Sequence, residues 1–518
     1  MGYRIGIDVG GTNTDAVIVD ENLNLVESIK TPTTTDVTTG IFNALSGVLK
    51  KSGIDKNKIT YAMLGTTHCT NAIVERKKLC KVGVIRIGKP ASAAISAMSD
   101  WPGDLKKAIS DNYFLVSGGH EFDGREIAPL DENEIRTVAK SLKGKVDSIA
   151  ITSIFSFVSA NHENRAAQIL REELGDIFIS LSHEIGSLGL LERENATILN
   201  SALTDVAKTM ALSFKEGLSR EGVNNAKVYL CQNDGTLMSV DYAIKYPILT
   251  IACGPTNSIR GASFLTKKSN AIVLDVGGTT SDIGVIVNNF PRESSLAVTI
   301  GGARTNFRMP DLISIGLGGG TIIHEKEGEI QIGPQSVGYK ITEEALVFGG
   351  KTLTATDIAV RLGVAQVGDP QKVAHIDENF ARRAYDKMMQ LVSDSIDKMK
   401  LSNADAEVIL VGGGSILISD KLDGVSEILR PENFAVANAL GSAIAQVSGQ
   451  VELVYKLDSI SREKALEETR KIVINEAIKA GADPSSIKIV EIEDIPLAYL
   501  PGNATRIRAK AAGDLSSN

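Results

Sequence analysis

The opening residues alternate between short apolar runs and a turn. Residues 3–7 form a β run, Gly10-Gly11 breaks it, and residues 16–19 read as the returning strand. Residues 23–30 suit a third strand, which predicts an antiparallel meander. Over residues 37–51 the period changes: Ile41, Leu45, Val48 and Leu49 recur at helical spacing, and Gly53 stops the run. The pattern then predicts a strand at 61–64, a polar loop, a helix at 70–77 and a strand at 81–87. Residues 90–145 are turn-rich, as an insertion or lobe rim would be. A buried strand at 146–155, a helix at 160–174 and one long helix at 190–217 follow. Strand character returns at 228–231.

A second strand-turn-strand pattern occupies residues 271–287. Helical spacing covers 356–362 and 378–401, a strand at 407–411 enters Gly412-Gly413-Gly414, and small residues predict a helix at 438–446. Signals mix after residue 451, and 510–518 reads as a frayed end. No low-complexity linker separates the halves. The division that follows is an N-terminal lobe at 1–190, a C-terminal lobe at 191–450 and an α/β extension at 451–518.

The two hairpin patterns carry the same residues. Asp8-Val-Gly-Gly-Thr-Asn-Thr-Asp15 and Asp275-Val-Gly-Gly-Thr-Thr-Ser-Asp282 agree at six of eight positions. An Asp ending a buried strand presents a carboxylate where it can hold Mg²⁺. Paired glycines let backbone N–H groups approach an anion without a Cβ in the way. Thr12, Asn13, Thr14, Thr279 and Thr280 add short side chains able to reach phosphate oxygens. Two such hairpins facing each other would hold a polyphosphate and its metal from both sides. One copy alone would be an ordinary tight turn; the repeat in matching context is what points to ATP.

The bulk numbers narrow the classes. At 518 residues the chain exceeds one ordinary core. It is 43% hydrophobic and 5% aromatic, with a net charge of -8 and no basic block, which disfavours a nucleic-acid surface. Four scattered cysteines suggest neither a disulfide framework nor a zinc clip. The six histidines show no ligand spacing. No apolar run reaches the roughly 20 residues that span a bilayer, and the N-terminus lacks a signal-peptide core. The expectation is a cytoplasmic chain without membrane contact. A Walker loop fails at Gly350-Lys351-Thr352, where position 345 is Ala.

Two DxGGT hairpins, the later turn Val411-Gly-Gly-Gly-Ser415 and the small-residue helix Ala437-Asn-Ala-Leu-Gly-Ser-Ala443 resemble the superfamily of sugar kinases, Hsp70 and actin. That resemblance implies an α/β, two-lobed actin-like ATPase fold, built of duplicated ribonuclease H-like domains with nucleotide between the lobes. Gly10, Gly11, Gly277 and Gly278 would then hold phosphate, and Gly412, Gly413 and Gly414 would meet the adenosine.

Within it the chain resembles the ATP-binding A-type subunit of the hydantoinase/oxoprolinase family, in a short form. Carrying this are Gly65-Thr-Thr-His-Cys-Thr-Asn-Ala-Ile-Val-Glu-Arg76, Glu192-Arg193 with Asn200, Gly254-Pro255, Gly261-Ala262, Ile315-Gly-Leu-Gly-Gly-Gly-Thr321 and Thr352-Leu-Thr-Ala-Thr-Asp357. The family's Pro-Gly-Pro-Ala-Cys-Tyr-Gly run is missing between Gly333-Pro334 and Gly349-Gly350.

The resemblance implies ATP-dependent hydrolysis of a small cyclic amide (hydantoin, oxoproline or lactam) through phosphorylation of its carbonyl. Asp8 and Asp275 are the metal candidates, and Asp15 or Asp282 would orient water or substrate. His68 is the acid/base candidate, and Glu192-Arg193 reads as an ordinary surface pair. Thr66, Thr67 and Asn71 would face substrate, unless Thr70 merely caps the helix. Gly318, Gly319 and Gly320 could form a phosphate nest or a plain turn. A B-type hydantoinase subunit and a second copy of the chain are candidate partners. A small-molecule kinase and a nucleotide-gated binding or regulatory module remain the alternatives.

Overall fold

In the computed structural model, residues 2–516 are described except 35, 36, 187, 295, 296, 499 and 501. The two repeated hairpins seed two separate sheets. Strand Tyr3–Val9 lies antiparallel to Asn13–Val19, with Asp8 opposite Asp15, and parallel to Ile59–Thr66. Strand Ala271–Val276 lies antiparallel to Ser281–Val287, with Asp275 opposite Asp282, and parallel to Ala406–Val411. The repeat in sequence is thus a repeat in register: each hairpin ends beside the C-terminal edge of a parallel strand.

The first sheet has nine strands, running from Lys488–Pro496 at one edge to Leu25–Pro32 at the other. The second has six, including the short Leu312–Ile315 paired to the hairpin. Each has its own apolar core. One gathers Ile5, Ile7, Ile18, Leu45, Leu64 and Phe214; the other gathers Leu274, Ile283, Val392, Ile396 and Leu410. Helices Cys253–Thr266 and Ala437–Ile444 pack against each other and against both sheets. Their contact needs glycine: a Cβ on Gly261 would sit 1.9 Å from the Ala437 carbonyl oxygen, and one on Gly441 1.8 Å from that of Asn257.

Three stretches differ from the sequence expectation. The turn-rich region holds regular elements among its turns: Asn112–Ser117 is the edge strand of a four-stranded parallel sheet with Val82–Lys89, Ser148–Ser153 and Phe178–Leu181. Helix Glu132–Leu142 covers it with Ile135, Val138, Ala139 and Leu142, and Asp131 caps that helix. Its short elements each supply too few periods to stand out against the turns.

The expected long helix is two, Leu190–Ala202 and Thr204–Arg220, joined at Leu203 by a tightened bond from its N–H to the Asn200 carbonyl. Residues 193–202 are buried on every side, whereas the second helix is amphipathic, so the two face different surroundings. Glu192 and Arg193 are not a surface pair. Arg193 is buried and donates to the Ser182 hydroxyl and the Ser153 carbonyl, tying this helix to the parallel sheet.

The frayed end is the largest difference. Ala504–Gly513 is a strand paired on both sides, with Val447–Lys456 and Lys488–Pro496. Lys510 is buried and its Nζ lies 2.8 Å from the equally buried Asp234 carboxylate. Residues 517 and 518 fall outside the described residues. An alanine-rich run flanked by lysine looks weak in isolation, but here long strand pairing and a charge partner 276 residues away fix it. Breaking a buried pair on one side leaves a bare charge, so Lys510→Met should cost about 3–5 kcal/mol in a denaturant titration. No change would mean that the strand is peripheral.

Candidate active site

The hairpins meet at one cleft of about 400 Å³. Each turn closes with the same bond, Gly10 N–H to the Asn13 carbonyl at 3.0 Å and Gly277 N–H to the Thr280 carbonyl at 2.9 Å. Their tips touch: the Thr12 and Thr279 hydroxyl oxygens are 3.5 Å apart. Gly278 lies so close to Thr12 that a Cβ there would be 2.6 Å from its Oγ1.

Asp8, Asp15, Asp275 and Asp282 all line the cleft, as do Gly10, Gly11, Thr12, Asn13, Gly277, Gly278, Thr279 and Thr280. Asp8 is buried and accepts two amide hydrogen bonds, from Asn257 Nδ2 at 3.0 Å and Asn438 Nδ2 at 3.1 Å. Asn438 also donates to Asp15 at 2.9 Å. Burial pushes the Asp8 carboxyl up to about 6 against the pull of Asn257, with Asp15 and Asp275 adding to the rise. Burial likewise raises Asp275, opposed by the Ser258 hydroxyl, and Asp15, opposed by Lys30. Asp282, held by Ser314, is pushed up to about 6 by its surroundings and by Asp275. Four crowded carboxylates that resist ionising are a site seeking positive charge.

The donors fit Mg²⁺. Carboxylates, hydroxyls and amide oxygens line the cleft, without histidine or cysteine, which suits a hard cation and disfavours zinc. Helix Cys253–Thr266 also opens here, with Gly254, Pro255 and Ser258 on the wall, so its positive end faces the same space. The cleft lining also includes the apolar side chains of Ile341, Phe348, Val367, Ile416 and Phe434, as a flat base would need. Gly412, Gly413 and Gly414 line it too: a Cβ on Gly412 would come 2.2 Å from Asp275 Oδ1, so glycine here lets the turn approach the carboxylate.

Other expected site residues are placed differently. Thr14 is fully buried, with its hydroxyl 3.4 Å from that of Thr33. The run at 318–320 is not an open nest: Gly319 and Gly320 donate to the Gly277 and Gly278 carbonyls, and Gly318 to the Thr321 hydroxyl. The amides of Gly319 and Gly320 brace the second hairpin, and of the three only Gly319 reaches the cleft wall.

Thr67 lines the cleft and occupies the N-cap position of helix His68–Glu75, so Thr70 is inside that helix and does not cap it. Thr66 is buried, and Asn71 is exposed with its amide 3.4 Å from the Thr67 hydroxyl. His68 is off the wall. It pairs with the Thr66 hydroxyl, and burial pushes it down to about 4, which leaves it neutral at pH 7 and unable to act as an acid there. Cys69 is buried, its thiol pushed up to about 11 by burial, so it is no nucleophile.

Sequence reasoning missed Lys30, Asn257, Ser258 and Asn438. The last three lie on the two packed helices, and no local signal marks them as partners of Asp8 and Asp275. It also missed one grouping away from the cleft, His120, Glu126 and His162. There His162 Nδ1 accepts the Gly119 N–H at 3.0 Å, which leaves the ring proton on Nε2, 3.3 Å from Glu126. A nitrogen carrying that proton is a hydrogen-bond donor, not a metal ligand.

Protons compete with a cation for Asp8 and Asp282. Below about 6 both carboxyls take up protons and lose the charge that would attract it. Mg²⁺-dependent nucleotide affinity should therefore fall by roughly tenfold from pH 7.5 to pH 5.5 in calorimetric titrations. An affinity flat across that range would mean that Asp8 does not hold the metal and that the charge of Asp282 does not help to attract it.

Over residues 4–174 the chain matches the hydantoinase/oxoprolinase N-terminal region, and over residues 193–399 hydantoinase/oxoprolinase. Caprolactamase subunit alpha of Pseudomonas jessenii is 27% identical over 501 residues, spanning 88% of this chain and 69% of that protein. Acetophenone carboxylase gamma subunit of Aromatoleum aromaticum is 26% identical over 392 residues, spanning 69% of this chain and 53% of that protein. The crystal structure of ATP-dependent caprolactamase from Pseudomonas jessenii aligns over 99% of this chain and 88% of its own, with a TM-score of 0.79 at 21% identity. The architecture is an α/β fold of two sheets, each seeded by one copy of the repeated hairpin, and it is shared with that caprolactamase. Among the described residues, no helix is long and apolar enough to cross a membrane.

Proposed function

Because the chain belongs to the hydantoinase/oxoprolinase family, we propose that it is an ATP-dependent cyclic amide hydrolase, acting as the ATP-using subunit of a larger enzyme. The observation that carries this reading is the convergence of two matching hairpins, four aspartates and an apolar pocket on one cleft.

An amide carbonyl resists water, and transfer of a phosphoryl group to its oxygen removes that resistance. The carbonyl oxygen attacks the γ-phosphorus of ATP, and the bond to the ADP oxygen breaks. Water then adds to the activated carbon, the ring C–N bond opens as nitrogen takes a proton and leaves an acyl phosphate, and a second water hydrolyses that acyl phosphate to carboxylate and inorganic phosphate. Backbone N–H groups of the two turns and the positive end of helix Cys253–Thr266 orient the phosphates.

Asp8 and Asp275 are the residues that would hold Mg²⁺, which neutralises phosphate charge when bound. Asn257 and Asn438 fix the Asp8 carboxylate in place. Asp15 is engaged by Lys30 and Asn438, whereas among the described residues Asp282 is engaged by the Ser314 hydroxyl alone. Asp282 is therefore the better placed of the two to orient water or substrate. Thr67, beside Gly254 and Pro255, marks the wall where the amide would lie.

Since caprolactamase subunit alpha is by name one part of an assembly, a B-type partner is the natural source of the hydrolytic step. The test is ADP release by the chain with caprolactam, hydantoin, 5-oxoproline and acetophenone, alone and with a candidate partner subunit. Stimulation by a cyclic amide supports the reading. Stimulation by the ketone alone, or a stable phosphorylated product, would replace it with a carboxylase-type or kinase activity.

A further inference from the structure

Among the described residues the cleft has an unbalanced lining: four aspartates and a single cationic side chain, Lys30. Lys30 sits in strand Leu25–Pro32, directly across from Asp15 in the hairpin's second strand. Its Nζ is 2.5 Å from Asp15 Oδ1, yet its side chain remains 32% exposed while that of Asp15 is 3% exposed. The ammonium group thus has one face on a buried carboxylate and another toward the open cleft. Its field also reaches the opposite hairpin, where it works against the rise of Asp275.

We propose that Lys30 is a phosphate-binding residue that grips the terminal phosphate of ATP while remaining paired to Asp15. This rests on the reading that the cleft binds ATP. A triphosphate entering among four carboxylates meets repulsion that one divalent cation offsets only in part. An ammonium group has three donors on a flexible stem, so one can stay on Asp15 while another reaches a phosphate oxygen. Asp15, held in turn by Asn438, fixes where that charge sits. The competing account is a cross-strand ion pair that serves only to hold the sheet edge.

Calorimetric titration of the full chain with ATP, ADP and AMP in the presence of Mg²⁺ separates the two. Lys30→Met should weaken ATP by roughly 10–100-fold, the span expected for a charged hydrogen bond, with ADP less affected and AMP within about twofold. Part of any loss could come from Asp15 left bare, so the decisive variant is Lys30→Met/Asp15→Asn. It removes both charges of the pair, so no bare carboxylate is left in the fold, and it carries the test where the single variant does not fold. Continued loss of ATP preference in the double variant supports direct contact. Wild-type ATP affinity in it, or in Lys30→Met, overturns the proposal. If the wild-type chain binds AMP, ADP and ATP equally, Lys30 has no phosphate role although the cleft still takes nucleotide. If it binds none of them, the nucleotide reading fails and this inference with it.

Discussion

Replacing Asp8 with asparagine should abolish most ATP turnover, by roughly 10²–10³-fold, without lowering the stability of the nucleotide-free chain. The second half of that expectation follows from the carboxyl's own cost. Its ordinary value of 3.8 is raised to about 6 in the fold. A raised carboxyl stabilises the folded state only while protonated. That contribution is lost as pH climbs from the unfolded value to the folded one, and above it the folded chain carries the full penalty. At pH 7 the penalty is about 3 kcal/mol. Asparagine has no such charge.

The substitution also has a way to keep its hydrogen bonds. Both carboxylate oxygens of Asp8 now accept from amide groups, and asparagine would turn one of them into a donor facing a donor. Asn257 can flip, because its Oδ1 is buried without a partner and would accept from the new amide. Thermal unfolding of Asp8→Asn at or above the wild-type midpoint, beside collapsed ADP release, is the predicted pair of results. A strongly destabilised variant would show that Asp8 is structural.

The second large effect concerns the helix contact behind the site. Gly441→Val should destabilise the protein by about 3 kcal/mol or more, beyond ordinary overpacking. The added atoms would land on the Asn257 carbonyl, at a place where even a single Cβ would be 1.8 Å away. Backbone must move to admit them, and no side-chain rotation can relieve the contact. Because Asn257 and Asn438 reach Asp8 from the two helices that touch here, separating the helices also frees that carboxylate. Nucleotide affinity and the unfolding midpoint should therefore drop together. Gly103→Ala is the matched control, since a Cβ there meets nothing within 4 Å; its effect should stay within about 0.5 kcal/mol. Equal behaviour of the two variants would contradict the close-contact account.

What could be read from the sequence, and what could not, divides along physical lines. The hairpins were legible because strand, turn and acid all lie within eight residues, and the repeat multiplies the signal. The braces around them were not: Asn438 reaches Asp8 across 430 positions and Asn257 across 249, and neither sits in a pattern that local periodicity rewards. Lys30 looked like the end of an ordinary strand until register set it against Asp15. The glycines at 318–320 resemble a phosphate nest by composition, yet the N–H groups of Gly319 and Gly320 are consumed by the second hairpin and that of Gly318 by the Thr321 hydroxyl. His68 looked catalytic because it follows two threonines in a loop-like stretch, but the helix begins there and turns its ring onto Thr66. Strand Ala504–Gly513 was illegible for a related reason, as its pairing partners and Asp234 are all distant in the chain.

One measurement goes to the centre of this account: a crystal of the chain with a non-hydrolysable ATP analogue and Mn²⁺, located by anomalous scattering. The account predicts metal density among Asp8, Asp275 and the phosphates, with the phosphate chain lying between the Gly10-Gly11 and Gly277-Gly278 turns. Metal bound elsewhere, or a nucleotide touching only one hairpin, would contradict it.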